Sequence, residues 1–332
     1  MKKGLFGIFS PKKEDDELKI VTEDELLLTN GRGKNTWWIT FDGKTDGGEK
    51  VNFLYRLSIT SISVALQPVR MFDSLLAVTY DNQIYACERD YGMVKKKQHV
   101  PIDFLSFTAN LSKLEGSYGL LDLYAVMTNY EVDVAMDYPD GIVKKADLAF
   151  DFDEKEIVST CASDMDCQGQ IRVEGEDFPV KGTAWVEKRY LPIGKHDKNA
   201  NITSIKVWMF PDDECAERIA ITAMHDISTG KKVVEAIAIN QAGHSSQYEA
   251  EWALDESTTQ WVSPSTGKKY PLPGVVRIPG LDMEVGITPT IENQEMVAED
   301  GIYGEYAGSG EYSGHQADKR VSGTCVLEMI IQ

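Results

Sequence analysis

At 332 residues the chain is longer than one hydrophobic core usually supports, so two domains are expected. Hydrophobic residues make up 42%, enough for globular cores, while 53 acidic against 34 basic residues give a formal charge of −19. A field of that sign repels phosphate backbones and anionic lipid surfaces, which argues against nucleic-acid binding and leaves solubility as the ordinary meaning of the acidity.

The N-terminal apolar run Leu5 to Phe9 is too short for a signal-peptide core, and Pro11 with the charged residues Lys12 to Glu17 closes it off. Residues 1–20 read as a disordered tail, with a weak interfacial anchor at Leu5, Phe6, Ile8 and Phe9 as the alternative. No stretch approaches the roughly 18 apolar residues of a membrane span, so a cytoplasmic protein without stable membrane insertion is expected.

Period-two alternation follows. Val51, Phe53, Tyr55, Leu57 and Ile59 alternate with Asn52, Arg56 and Ser58, and Val132, Val134 and Met136 alternate with Glu131, Asp133 and Asp137. Each pattern predicts a strand with one buried face. Ile205, Val207 and Met209 share one face in the second half, as do Tyr248, Ala250, Trp252 and Leu254. Hairpin turns are expected at Asp42-Gly43, Asp46-Gly47, Asp140-Gly141, Glu174-Gly175, Thr229-Gly230, Asp300-Gly301 and Ser313-Gly314. The charged stretch Asp151 to Glu156 suggests either a surface connection between halves or a long hairpin loop, and a boundary is placed near residue 165, with domains over 21–165 and 166–332. Two Trp-bearing openings, Trp37-Trp38 and Ala184-Trp185, hint at an internal duplication. The fold class is all-β, with antiparallel barrels or sandwiches.

Common chemistries find little support. Cys87, Cys161, Cys167, Cys215 and Cys325 have no CxxC spacing and read as reduced thiols. The five histidines are too dispersed for a helix-borne metal pair, Gly308-Ser309-Gly310 with Gly314 has the wrong spacing for a dinucleotide fingerprint, and Gly31 to Lys34 is no phosphate loop. No metal, nucleotide or other cofactor is expected.

Several segments, taken in order, resemble one family. Trp261-Val262-Ser263-Pro264-Ser265-Thr266-Gly267-Lys268-Lys269-Tyr270-Pro271 is similar to a W-[TS]-S-P-x-T-G-x-x-Y-P element; Asn293-Gln294-Glu295 matches (D/N)QE, and Tyr303-Gly304-Glu305 is similar to Y-W-E. Val321 to Thr324 and Leu327-Glu328 follow the closing pattern, while Trp37-Trp38, the strand to Arg56 and Gly182-Thr183-Ala184-Trp185 resemble earlier elements. The chain thus resembles the AttH-like and carotenoid 1,2-hydratase-like proteins, whose relatives include fungal lipocalin-like Diels–Alderases. The resemblance implies two lipocalin-like β domains packed side by side, with a small hydrophobic, isoprenoid- or polyketide-like molecule in a cleft between them or in a barrel mouth. It implies either a cofactor-free hydratase, cyclase or isomerase or a non-catalytic carrier.

Where the hydratases carry an acidic proton donor after G-T-A-W, this chain has Glu187. If Trp185 and Tyr190 desolvate it, its pKa rises and it keeps a proton to give; if it pairs with Lys188, Arg189 or Lys195, it is structural. Arg56 on the polar face of its strand is expected to meet Glu305 or Glu328 in a buried pair. Trp38, Trp185 and Tyr303 are expected to face the cleft and, with Arg56, Tyr190 and Glu305, to contact the ligand. Gln294-Glu295 is read as a turn anchor or a ligand contact. The oligomeric state is left open.

Overall fold

The computed structural model describes residues 32–64, 67–94, 105–108, 112–117, 119–139, 141, 143–152, 155–192, 202–254, 260–298 and 303–331. The expected N-terminal tail and the Asp300-Gly301 turn lie outside the described residues. The rest is almost all-β: two curled antiparallel sheets lie side by side, consistent with two lipocalin-like units.

The strands in chain order are β1 (Gly33–Thr45), β2 (Lys50–Val64), β3 (Gln67–Tyr80), β4 (Ile84–Met93), β5 (Leu105–Thr108), β6 (Ser112–Ser117), β7 (Leu120–Val126), β8 (Tyr130–Asp137), β9 (Lys144–Phe152), β10 (Lys155–Val173) and β11 (Glu176–Pro192). They form the first sheet in the order β4-β3-β2-β1-β11-β10-β8-β7-β6-β5, with β9 on the other half of β10's edge. The second sheet holds β12 (Ile202–Pro211), β13 (Arg218–Asp226), β14 (Lys232–Ile239), β15 (Ser245–Glu249), β16 (Glu251–Leu254), β19 (Gly274–Ile278), β20 (Met283–Pro289), β21 (Glu295–Val297), β22 (Gly304–Gln316) and β23 (Lys319–Ile330). Its order is β15-β14-β13-β12-β23-β22-β20-β19-β16, with β21 on β22. A small ribbon pairs β17 (Trp261–Val262) with β18 (Lys269–Tyr270).

The sheets change over between Pro192 and Ile202, and residue 165 falls inside β10. There the register of β10 against β11 slips between Ala162 and Met165, with Asp164 at a φ of 55°. This bulge lets one strand serve two partners: Lys155 to Ser163 pair with β9, and Asp166 to Val173 pair with β8. Of the charged stretch, Asp151 and Phe152 end β9 and Lys155 and Glu156 begin β10, paired with each other as in a hairpin. The Trp-bearing segments of the suggested duplication are adjacent strands of one sheet, β1 and β11, with Thr40 opposite Trp185. The run from Tyr248 to Leu254 breaks at Ala250, where β15 on β14 gives way to β16 on β19.

Two of the expected turns lie within strands. Asp42-Gly43 belongs to β1 and Ser313-Gly314 to β22. Gly43 sits opposite Gly182 because the strands cross too closely for side chains: a Cβ on Gly182 would lie 2.2 Å from the Asp42 carbonyl oxygen. Gly182→Ala should therefore cost about 1–3 kcal/mol in urea unfolding, because backbone must shift to admit it. An unchanged midpoint would mean the crossing has slack. Glu174-Gly175 does turn as expected, with φ values of 52° and 91°.

Three cores result. Trp37, Ile39 and Phe41 of β1 with Val51, Phe53, Tyr55, Leu57 and Ile59 of β2 point inside the first sheet. Val207, Met209, Ile221, Val285 and Leu327 fill the second. Between the sheets lie Trp38, Leu54, Leu75, Phe150, Trp185, Trp208, Phe210 and Val326. β8 has the expected single buried face, with Asp133 exposed. β2 is buried on both faces: Asn52, Arg56 and Ser58 on its polar face are 2%, 1% and 1% exposed, because the second sheet covers them.

Candidate functional site

Antiparallel register places one row of side chains straight across each facing sheet. On the first sheet Trp38 lies between Glu187 of β11 and Arg56 of β2, and the row continues through Leu75 to Arg89 of β4. On the second sheet Lys206 of β12 lies beside Glu328 of β23. Face to face, these rows bring opposite charges together.

One cluster centres on Arg56. Its Nη1 donates to Glu305 and, at 2.8 Å, to Oε1 of Glu328, while Nη2 reaches Asp73 at 3.2 Å. Arg89 donates to the same Asp73 at 2.6 and 3.1 Å. The Tyr303 hydroxyl donates to Oε2 of Glu305 at 2.7 Å, and the Arg89 guanidinium lies 4.4 Å from the Tyr303 ring centre. The second cluster centres on Glu187. Lys206 and, at 3.3 Å, Arg189 donate to its Oε1, while Trp208 Nε1 donates to Oε2 at 3.2 Å. Arg189 is held by Ser159 at 2.7 Å and Thr222 at 2.9 Å. Trp38 joins the two: its Nε1 donates to Glu328 at 2.9 Å, and the Lys206 ammonium lies 4.3 Å from its ring centre.

This arrangement gives Glu187 the second of its two expected environments, a pair with Arg189. Burial pushes its carboxyl up, but Lys206 and Arg189 outweigh burial and hold it below the ordinary range, so it is ionised and not a proton store. Glu305 behaves oppositely. Burial, the dominant effect, and the neighbouring Glu328 carboxylate overcome the pull of Arg56 and raise Glu305 to about 7. Lys206 is pushed down to about 8 by burial and by Arg189, against the pull of Glu187.

The pH dependence of stability follows from these two groups. From the ordinary 4.5 to about 7 the folded chain keeps a proton on Glu305 that the unfolded chain has lost, so stability falls as pH rises through that window. From about 8 to the ordinary 10.5 the unfolded chain holds a proton on Lys206 that the folded chain has released, so stability rises with pH there. These two groups therefore set a minimum near pH 7–8, which urea unfolding at closely spaced pH values will show; a monotonic rise from pH 5 to 8 would contradict it.

Of the residues expected at the site, Trp38, Arg56, Glu187, Tyr303 and Glu305 meet in this row. Trp185 shares the inter-sheet core, fully buried, with its Nε1 lacking a hydrogen-bond partner. Tyr190 is separate: alternation along β11 puts it on the face opposite Glu187, and its hydroxyl donates to the Arg32 carbonyl at 3.2 Å. Glu295 is a turn anchor, accepting from Ser263, from Thr266 at 2.7 Å and from Tyr270 at 2.7 Å. Gln294 anchors backbone too, donating to the Ser309 carbonyl at 2.7 Å and accepting from the Ser309 N–H at 2.8 Å. The W-x-S-P-x-T-G-x-x-Y segment thus forms a braced loop.

Lys206, Asp73 and Arg89 were not expected at the site. Lys206 alternates with Ile205 and Val207, the pattern of a solvated face. The available signal was Trp208 and Phe210 on that same face, as Trp38 and Leu54 were on the polar faces of β1 and β2.

The open cleft expected between the halves is closed by side chains among the described residues. The gap lined by Asn52, Leu54, Ala77, Thr79, Gly308 and Val326 has no room even for a water molecule and is a packing defect, not a ligand cavity. The row meets solvent at its β3–β4 end, where Asp73 and Arg89 are each 22% exposed. Beyond them Met71, Tyr91 and Met93 form an apolar ledge, exposed by 44%, 73% and 64%; Met71 is paired with Met93 and Asp73 with Tyr91. Among the described residues no helix is long and apolar enough to cross a membrane.

No protein-family model matches the sequence, and no curated protein matches it. Solved structures do. A candidate AttH protein from Nitrosomonas europaea superposes with a TM-score of 0.69 at 15% identity, over 90% of this chain and 92% of that one. Kievitone hydratase from Nectria haematococca gives 0.71 at 16%, over 95% and 94%. CghA with Sch210972 gives 0.54 at 9%, over 90% and 88%. The chain therefore has the two-sheet, lipocalin-like fold of the AttH, kievitone hydratase and CghA structures, across nearly its whole length.

Proposed function

We propose that this protein catalyses a cofactor-free hydration, cyclisation or isomerisation of a small hydrophobic, isoprenoid- or polyketide-like molecule at the solvent end of the charged row. The observation that carries this reading is Glu305, a buried carboxyl poised near 7 and hydrogen-bonded to the half-buried Tyr303 hydroxyl. A group poised near the working pH is a good acid because it is both protonated and willing to release. Being fully buried, Glu305 acts through its neighbour: the Tyr303 hydroxyl gives its proton to an alkene carbon or carbonyl oxygen of the substrate, protonated Glu305 passes its own proton to the Tyr303 oxygen, and the carboxylate regains one through Tyr303 when water adds or a neighbouring carbon loses its proton. Arg89 stacks behind Tyr303 and fixes the ring. The apolar body of the substrate rests on Met71, Tyr91 and Met93, which supply the dry contact that orients it. The fold shared with a hydratase supports the same chemistry.

The second reading is a carrier, and it draws on the same ledge, which holds an apolar molecule whether or not a proton moves. Mass spectrometry of small molecules extracted from the purified full chain separates the two. Catalysis requires that a recovered molecule, or its dehydrated or uncyclised counterpart, be converted on incubation in deuterated buffer with deuterium incorporated. Recovery without conversion or label overturns the catalytic reading.

A further inference from the structure

We infer that the Glu187–Lys206–Arg189 cluster is an electrostatic counterweight that sets the ionisation of Glu305 from across Trp38, and so positions the reaction on the pH scale without touching substrate. This rests on Glu305 being the proton source proposed above. The acid row contains two cations, Arg56 and Arg89, against three carboxylates, Asp73, Glu305 and Glu328. These ion-paired groups carry one surplus negative charge when fully ionised, with Lys34, whose ammonium burial disfavours, as the other cation nearby. The Glu187 row contains two cations, Arg189 and Lys206, against one carboxylate. It carries the matching surplus positive charge.

The two surpluses are held in register. Trp38 stands between Glu187 and Arg56 on one strand ladder, while Lys206 stands beside Glu328 on the other. The indole N–H binds Glu328, and the indole face takes the Lys206 ammonium at 4.3 Å and the Arg189 guanidinium at 5.2 Å. All this lies in a dry inter-sheet core, where charges are poorly screened. The third charge of the Glu187 cluster has no carboxylate of its own there and meets Glu328 beside Trp38, while the third carboxylate of the acid row lies between that charge and Lys34 of β1. The remaining groups around Glu305 are Lys34 of β1, Arg56 of β2, Asp73 of β3, Tyr85, Cys87 and Arg89 of β4, Tyr303, and Glu328 of β23, with Tyr270 of β18 and Lys268 behind Tyr303. None of them is altered in the variants below.

The test is the carboxyl titration of Glu305 in the full chain labelled with carbon-13 glutamate, without substrate, the resonance being assigned by its loss in Glu305→Gln. Lys206→Met removes the surplus positive charge and should raise the Glu305 midpoint by about one pH unit, the effect of one charge roughly two strand spacings away at an effective dielectric near 20. Glu187→Gln adds to that surplus and should lower the midpoint by a similar amount. The double variant restores the cluster charge and should return the midpoint to within about 0.3 unit of the parent. If Lys206→Met does not fold, Arg189→Gln, alone and with Glu187→Gln, poses the same question from the edge of the cluster. Loosened packing moves the single variants the same way and is not undone by combining them; shifts of one sign, or none, overturn the counterweight. Because no substrate is present, that result leaves the acid reading standing, whereas normal turnover by Glu305→Gln removes the acid reading and leaves the electrostatic coupling measurable.

Discussion

Glu305→Gln should lower turnover by about 100-fold or more, the usual contribution of a positioned general acid, while leaving the chain as stable as its parent near pH 6. The glutamine copies the shape of the protonated carboxyl: its one carbonyl oxygen still accepts from Tyr303, its amide gives up the bond from Arg56, and Arg56 keeps Glu328 and Asp73. Two measurements check this together. Single-turnover rates on the molecule recovered from the protein report the chemistry, and urea unfolding reports the fold. The decline in stability between pH 4.5 and 7 should disappear in the variant, because the group whose proton drives it is gone. Tyr303→Phe should lose turnover comparably, since it removes the hydroxyl through which the proton leaves. Full turnover in either variant would place the acid elsewhere.

Arg56→Met should be the most damaging single change to stability, costing about 3–5 kcal/mol. The guanidinium is 1% exposed and is the shared partner of Glu305 and Glu328, which are 0% and 1% exposed; without it two carboxylates face each other in a dry core. Arg56→Lys should recover only part of the loss, because one ammonium cannot serve both carboxylates and Asp73 as the fork does. Combining Arg56→Met with Glu305→Gln and Glu328→Gln removes the uncompensated charge and should regain most of the stability. If the single methionine variant unfolds at the same urea concentration as the parent, the cluster does not join the sheets energetically.

How far the sequence carries can be judged from particular residues. Val132, Val134 and Met136 against Asp133 announced a strand with one wet face, and β8 has one. Arg56 with Glu305 and Glu328 was legible as a buried pair because a lone charge among apolar neighbours needs an opposite one. The ordered likeness from Trp37 to Glu328 indicated the two-sheet fold, which the superpositions over at least 90% of the chain share. Glu187 was legible either as a desolvated acid or as a partner of Arg189, and the choice turned on Lys206, which arrives from the other sheet. Lys206 itself sits opposite Ile205 and Val207 by alternation, on the side of a strand that water ordinarily covers. Gly43 and Gly314 looked like turns because strand crossings that exclude a Cβ and turns that need positive φ both select glycine.

Local alternation and turn chemistry are properties of neighbours along the chain, so the sequence alone determined that the protein is built of antiparallel strands and which side chains share a face. Which of those faces meets water depends on contacts between residues some 250 or more positions apart, such as Arg56 with Glu328 and Trp38 with Glu328, and only the tertiary structure decided that. Packing one sheet against the other turned polar faces into a buried row of charges. Burial then shifted each group according to its partner, leaving Glu187 ionised and Glu305 holding a proton near neutrality.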